Sequence, residues 1–159
     1  GIMEYDKNKG FKKIEYEPNF QLVIINSNIE HSTQSMVSKV KEFENKNKEE
    51  FSKLSNLESK LVEDVLKLVK ENKIQEIGQK MNQNQEYLEN IGISNKELTK
   101  MIKIGQESSF GAKITGSGGG GCIFALTNES NLQNILKKFK DNNYECFSTK
   151  IDFKGLNTF

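Results

Sequence analysis

The chain has 159 residues, enough for one domain of ordinary size with a core of its own. Its net charge is +1 and every one of its 23 cations is a lysine, a balance that argues against nucleic acid, which needs a dense basic face. A hydrophobic fraction of 35% beside a charged fraction of 28% favours a small, strongly amphipathic α+β domain over a thick sandwich.

The missing arginine removes the bidentate clamp usually favoured for phosphates, and leaves lysines and backbone N–H groups for that task. Cys122 and Cys146 have no C-x-x-C spacing and no histidine partner, which argues against a metal site. They read as two buried, reduced thiols of a cytoplasmic protein. No apolar run approaches the roughly 20 residues of a membrane span, and no signal peptide is visible.

In chain order, Ile2–Tyr16 reads as a β-hairpin with its turn at Asp6–Gly10, where Gly10 suits a positive φ. Gly1-Ile-Met-Glu-Tyr is strand-like from the first residue, as though it continued an earlier segment. Pro18, the one proline, marks a break. Phe20–Ile25 is an apolar, β-branched run of the kind found in a central buried strand.

Met36, Val37, Val40 and Phe43 then recur at helical spacing behind Ser32 and Thr33, either of which is a natural N-cap. The free N–H groups at that helix start would sit at the end of a strand, where anions bind. Spacing alone leaves open whether Ser32 and Thr33 merely cap the helix. His31 is the one histidine, and no acid partner marks it as a general base. Phe51, Leu54, Leu57, Leu61, Val65 and Leu68 predict a second helix ending near Asn72. Ile74, Ile77, Met81 and Leu88 predict a third, ending near Gly92. Ser94-Asn-Lys-Glu97 reads as a capping box for a fourth, with Leu98, Met101, Ile102 and Ile104 inward.

Two β-like runs, Ala112–Thr115 and Cys122–Leu126, follow, joined by Gly116-Ser-Gly-Gly-Gly-Gly121. Glycine loses more backbone freedom on folding than any other residue, so such a run needs a reason. Either it lets a phosphate-bearing ligand approach bare main chain, or it is a slack hairpin turn; two apolar strands this close favour the first. Gly116, Gly118 and Gly121 fit G-x-G-x-x-G, but a dinucleotide fingerprint opens a helix and here a strand follows. No Lys-Ser/Thr pair follows the glycines, so the P-loop motif is absent as well. Thr127-Asn128 would cap a last helix carrying Leu132, Ile135, Leu136 and Phe139. Asp141–Asn143 turns the chain, Tyr144–Ile151 is the final strand and 152–159 a tail.

Apart from the first hairpin, the order is β-α-β-β-α-β: strands at 20–26, 112–116, 121–127 and 144–151, with a helix over 129–141. That order predicts a ferredoxin-like antiparallel sheet of four strands, with extra helices in the first crossover.

The strand–Gly-loop–strand unit Lys113-Ile-Thr-Gly-Ser-Gly-Gly-Gly-Gly-Cys122 resembles the third, C-terminal motif of the GHMP small-molecule kinases. Leu22–Ser27 with Ser32-Thr33, and Met81-Asn-Gln-Asn-Gln85, are similar to further stretches of the same family. Within it the four glycines before Cys122 look most like the mevalonate kinase branch, with the galactokinase branch next. The resemblance implies a C-terminal domain over 18–159, with 1–17 as closing strands of an N-terminal domain. It implies ATP-dependent phosphoryl transfer to a small-molecule hydroxyl, with ATP and Mg²⁺ held mainly by that N-terminal domain, on the same or a separate chain. No Gly-Leu-Gly-Ser-Ser element or catalytic acid of the family occurs here, so none of these residues is expected to be catalytic and the chain alone is expected to be inactive.

The resemblance assigns Lys113, Gly116, Ser117, Gly118, Gly119 and Gly120 to the nucleotide, and His31, Ser32 and Thr33 to the substrate. His31 stands where the family often has arginine, which would make the charge there depend on pH. Ser117 replaces a usual alanine. No nucleic-acid or membrane partner is expected, a homodimer is left open, and a ferredoxin-like binding module without chemistry is the alternative from a different class.

Overall fold

The chain opens on a hairpin that stands apart from the main sheet. β1 (Ile2–Asp6) and β2 (Gly10–Ile14) pair antiparallel with Tyr5 opposite Phe11. Their turn is fixed by Asp6 Oδ1, which accepts from the N–H groups of Asn8 and Lys9, both at 2.9 Å. Gly10 takes a φ of 76° there, the left-handed conformation expected of it. The structure, a computed structural model, describes residues 1–16 and 19–154. Pro18, the boundary at 17–18 and the last five residues of the tail therefore lie outside the described residues.

The β-branched run becomes β3 (Gln21–Asn26), and it is a central strand. Four helices follow: α1 (Thr33–Lys46), α2 (Lys48–Lys70), α3 (Ile74–Ile91) and α4 (Lys96–Ser108). After them come β4 (Gly111–Ile114), β5 (Cys122–Thr127), α5 (Leu132–Asp141) and β6 (Glu145–Thr149). The strand order is β4-β5-β3-β6 with every neighbour antiparallel. This is the β-α-β-β-α-β sheet read from the sequence, its first crossover enlarged to four helices.

Strand alternation divides the core between the two faces of the sheet. Val23, Ile25, Ala112, Ile114, Ile123 and Ala125 face α4 and α5, where Leu98, Met101, Ile135 and Phe139 are fully buried. Leu22, Phe124 and Leu126 face the other way, toward Val69, Ile77 and Met81 of α2 and α3 and Ile2 of the hairpin. A third cluster, Leu54, Leu61 and Tyr87, joins α2 to α3. β4 is an edge strand, and α3 lies against it. Asn82 Oδ1 accepts from the Ala112 N–H at 3.0 Å, and Gln85 Oε1 from the Ile114 N–H at 2.9 Å. Two side-chain amides thus satisfy donors that a further strand would otherwise take up.

Four expectations shift. The cap of α4 is Asn95, whose backbone is extended at φ −136° and ψ 172° and whose side chain accepts from Leu98 N, so the box at Ser94 is one residue early. Glu97 instead accepts from the Tyr144 hydroxyl at 2.5 Å. α5 starts at Leu132, because Asn128 Oδ1 accepts from Asn131 N at 3.1 Å and holds a turn before the helix; Thr127 remains in β5. On α1, Val37 is 60% exposed, since only one edge of that helix packs. Cys122 and Cys146 are free thiols, half-buried rather than buried.

Candidate functional site

The Gly loop and the turn entering α1 form one site. β3 ends beside the start of β5, and Ser27 N donates to Gly121 O at 2.9 Å while Gly121 N donates to Ile29 O at 3.0 Å. Those two bonds carry the chain from β3 across the mouth of the loop and into α1. Ser32 caps that helix, its Oγ accepting from Ser35 N at 3.3 Å. Thr33, the first helical residue, accepts from the Ser117 hydroxyl of the loop at 3.4 Å. His31 packs on the loop as well: a Cβ on Gly121 would lie 3.0 Å from its ring. The structure therefore brings His31, Ser32, Thr33 and Ser117 together, with His31, Ser32 and Thr33 exposed.

The loop is less bare than its glycines suggest. A Cβ on Gly118 would meet Ile93 O at 2.5 Å, and one on Gly120 would meet Ile29 O at 2.4 Å. Both residues are buried, and Gly119 abuts Met36. Their lack of side chains is required by the chain's own packing. Gly116 differs: it is exposed at φ 75°, and a Cβ there would meet nothing within 4 Å. The reading of 116–121 as uniformly open main chain is thus corrected to an open rim at Gly116 and Ser117 on a base packed against Ile29 and Ile93.

The loop's peptide groups divide in the same way. Gly119 N donates to Ile93 O at 2.8 Å, and Gly119 O accepts from Asn95 Nδ2 at 2.9 Å. Among the described residues, no backbone or side-chain acceptor takes up the N–H groups of Gly116, Ser117, Gly118 or Gly120. With the Ser117 and Thr33 hydroxyls and the positive end of the α1 dipole, this donor set suits phosphate oxygens. It does not suit a metal. No cluster of three His, Cys, Asp or Glu side chains able to hold an ion occurs among the described residues.

Lys113 goes elsewhere. It stands across from Phe124 in the β4–β5 ladder, with its Nζ 5.6 Å from the centre of that ring. It lines a cavity of about 290 Å³ between the hairpin and the α2–α3 pair, together with Ile2, Ile14, Glu58, Lys80 and Asn84. Burial lowers its pKa below the ordinary 10.5, and the nearby Glu58 carboxylate partly opposes this. The ammonium is therefore directed into this cavity and not along the strand to the Gly loop. Sequence reasoning missed the residues that shape the loop from outside, namely Ile29, Met36, Ile93 and Asn95. Of these Met36 was legible only as an apolar position of α1 and Asn95 only as the polar residue beside the expected cap.

A four-stranded β4-β5-β3-β6 sheet, a helix-rich first crossover and a Gly loop facing a capped helix start make a ferredoxin-like α+β domain with a donor-lined loop at one end of its sheet. The chain belongs to the GHMP kinase family: residues 65–145, just over half of it, match the family described as GHMP kinases C terminal. Its relatives in sequence include the mevalonate kinase of Methanocaldococcus jannaschii, 32% identical over 157 residues, covering 95% of this chain and 47% of that protein. The mevalonate kinase of Thermococcus sibiricus is 36% identical over 131 residues, covering 79% of this chain and 39% of that protein. Among solved structures, Methanococcus jannaschii mevalonate kinase superposes with a TM-score of 0.80 at 28% identity, covering 94% of this chain and 47% of that one. L. major mevalonate kinase in complex with R-mevalonate shares the fold with a TM-score of 0.86 at 23% identity, covering 93% and 48%. The chain spans about half the length of the curated relatives it matches.

Proposed function

We propose that this chain is the C-terminal wall of the active-site cleft of a mevalonate kinase, which transfers the γ-phosphoryl group of ATP to the primary hydroxyl of mevalonate. Phosphoryl transfer asks a protein mainly for positioning and charge neutralisation, and backbone donors with hydroxyls supply the first without reactive groups. The observation that carries the reading is the contact of the Ser117 hydroxyl with Thr33 at the start of α1, on a loop whose N–H groups at Gly116, Ser117, Gly118 and Gly120 have no acceptor among the described residues. On this reading the open rim at Gly116 and Ser117 approaches the nucleotide phosphates, with Gly118, Gly119 and Gly120 as the packed base that shapes it, and His31, Ser32 and Thr33 line the acceptor's polar end.

Mg²⁺ and the catalytic acid come from an N-terminal domain, since the residues at this site fit phosphate oxygens and not a cation. The hairpin of residues 1–16 is read as part of that domain's closing sheet. Lys113, whose side chain lies in the cavity under the hairpin, serves the nucleotide only through the field of its charge. No helix among the described residues is long and apolar enough to cross a membrane, and the reading places the enzyme in the cytoplasm, in isoprenoid precursor synthesis.

The test is ADP release coupled to acceptor phosphorylation. The 159-residue chain alone should turn over neither mevalonate nor galactose, and adding its N-terminal domain should restore turnover of mevalonate with ATP and Mg²⁺. Turnover of galactose instead would move the protein to another branch of the family. Phosphorylation of mevalonate by the chain alone would show that the cleft does not need its other wall.

A further inference from the structure

Gly119 is the one residue of the loop whose two peptide groups are both held by the connection between α3 and α4. Its N–H donates to Ile93 O at 2.8 Å, and its carbonyl accepts from Asn95 Nδ2 at 2.9 Å. Asn95 is at the same time the N-cap of α4, its Oδ1 accepting from Leu98 N at 2.9 Å. One side chain therefore closes a helix start and grips the Gly loop. The assignment of the amide is forced. Its oxygen must face the Leu98 N–H, which can only donate, and its nitrogen must then face the Gly119 carbonyl, which can only accept.

We infer that Asn95 is a positioning residue for the loop. By fixing the Gly119 carbonyl it holds the neighbouring peptide units, and so aims the free N–H groups of Ser117, Gly118 and Gly120 before any ligand arrives. Loop N–H groups stabilise developing charge only if they are already oriented, because a loop that must order itself on binding loses that part of the interaction. The opposite side of the loop is fastened by main-chain bonds between Gly121 and Ser27 and Ile29, which no substitution of a side chain removes. Asn95 is the side chain through which the clamp can be loosened. α4 itself is firmly seated, with Leu98 and Met101 fully buried one turn beyond the cap, so the loop is referenced to the core and not to a surface segment.

The role separates from simple helix capping because Asn, Asp and Ser cap helices about equally well, while only Asn here donates to a carbonyl. The Asn95→Ser hydroxyl is too short to reach Gly119, and the Asn95→Asp carboxylate would face the Gly119 carbonyl oxygen with no proton between them. In the 159-residue chain, N95S and N95D should lower the urea unfolding midpoint only slightly, by the one loop bond they lose. They should speed amide exchange at Gly119 about five- to tenfold, as expected for losing one net hydrogen bond. N95A should do the same and lower the midpoint further, because it loses the helix cap as well.

The nucleotide arm rests on the proposed kinase reading. With the N-terminal domain present, KM for ATP should rise about five- to tenfold in N95S and N95D, and KM for the acceptor should stay near the parent value. Parent-like exchange at Gly119 in both variants, with only N95A less stable, would overturn the inference and leave Asn95 an ordinary cap. Faster exchange with an unchanged KM for ATP would keep the clamp and overturn the loop's assignment to the nucleotide, so the two claims fail separately.

Discussion

Gly116 and Gly118 have the same left-handed backbone, at φ 75° and 79°, in opposite surroundings. A Cβ on Gly116 projects into open space, whereas one on Gly118 lies 2.5 Å from a carbonyl oxygen that cannot move without pulling on Ile93 and Asn95. Alanine at Gly116 should therefore cost only the left-handed penalty, about 1–2 kcal/mol. At Gly118 the same penalty is joined by a backbone clash, and the loss should exceed that of the Gly116 variant by at least about 1 kcal/mol. Urea unfolding of the two alanine variants measures the difference directly. Equal losses would mean that the loop shifts away from Ile93 freely and that its base is not packed. The glycine run declares in the sequence that main chain comes close to something, but not to what. For Gly118 and Gly120 the partner is the protein itself, the carbonyls of Ile93 and Ile29, neither of which the sequence marks as meeting the loop. Lys113 teaches the same lesson. Its place beside the motif is visible in the chain, while the side of β4 its ammonium takes is set by alternation against Ala112 and Ile114, both buried on the other face.

At the scale of elements, hydrophobic periodicity accounts for all five helices and for the central position of β3. The core positions Leu54, Leu61, Ile77, Met81, Leu98 and Phe139 are buried as their spacing requires. Caps were less legible, because Ser94 and Asn95 are both good N-cap residues and the choice between them depends on Gly119, a contact distant in sequence. Least legible were Asn82 and Gln85. They sit among Met81-Asn-Gln-Asn-Gln85 as polar positions of an amphipathic helix, with nothing local to say that they finish a sheet. Yet Gln85 is 1% exposed, and its Oε1 is the partner of the Ile114 N–H. Gln85→Leu preserves the bulk and removes the acceptor, leaving a buried N–H unsatisfied on the strand that leads into the Gly loop. The expected loss is about 1–3 kcal/mol in urea unfolding. It should come with faster amide exchange at Ile114, while Val23 in the middle of the sheet keeps its relative protection. A variant as stable as the parent would mean that water replaces the amide at that edge.

For the whole molecule the main division lies between the first hairpin and the rest. The four-stranded sheet is covered by helices on both faces, whereas the hairpin touches the body chiefly through Ile2 and Ile14. Its other side shows Met3, Tyr5 and Phe11 to solvent at 55%, 63% and 72% exposure. Tyr5 and Phe11 stack across the two strands with their ring centres 4.8 Å apart, an apolar pair without cover. A two-stranded ribbon is marginal in water unless something packs on it, and the cavity of about 290 Å³ beneath this one leaves part of its inner face unfilled as well. In the isolated chain, amide protons of β1 and β2 should therefore exchange by local opening, at free energies lower by roughly 2 kcal/mol or more than those of β3 and β5. If residues 1–16 belong to the closing sheet of an N-terminal domain, adding that domain should narrow the gap, with the largest gain in protection at Tyr5 and Phe11. Protection of the hairpin equal to that of β3 in the isolated chain would count against this assignment. The ribbon would then be an integral layer of the domain, held chiefly by Ile14 and Ile2, and the other wall of the cleft would have to dock elsewhere.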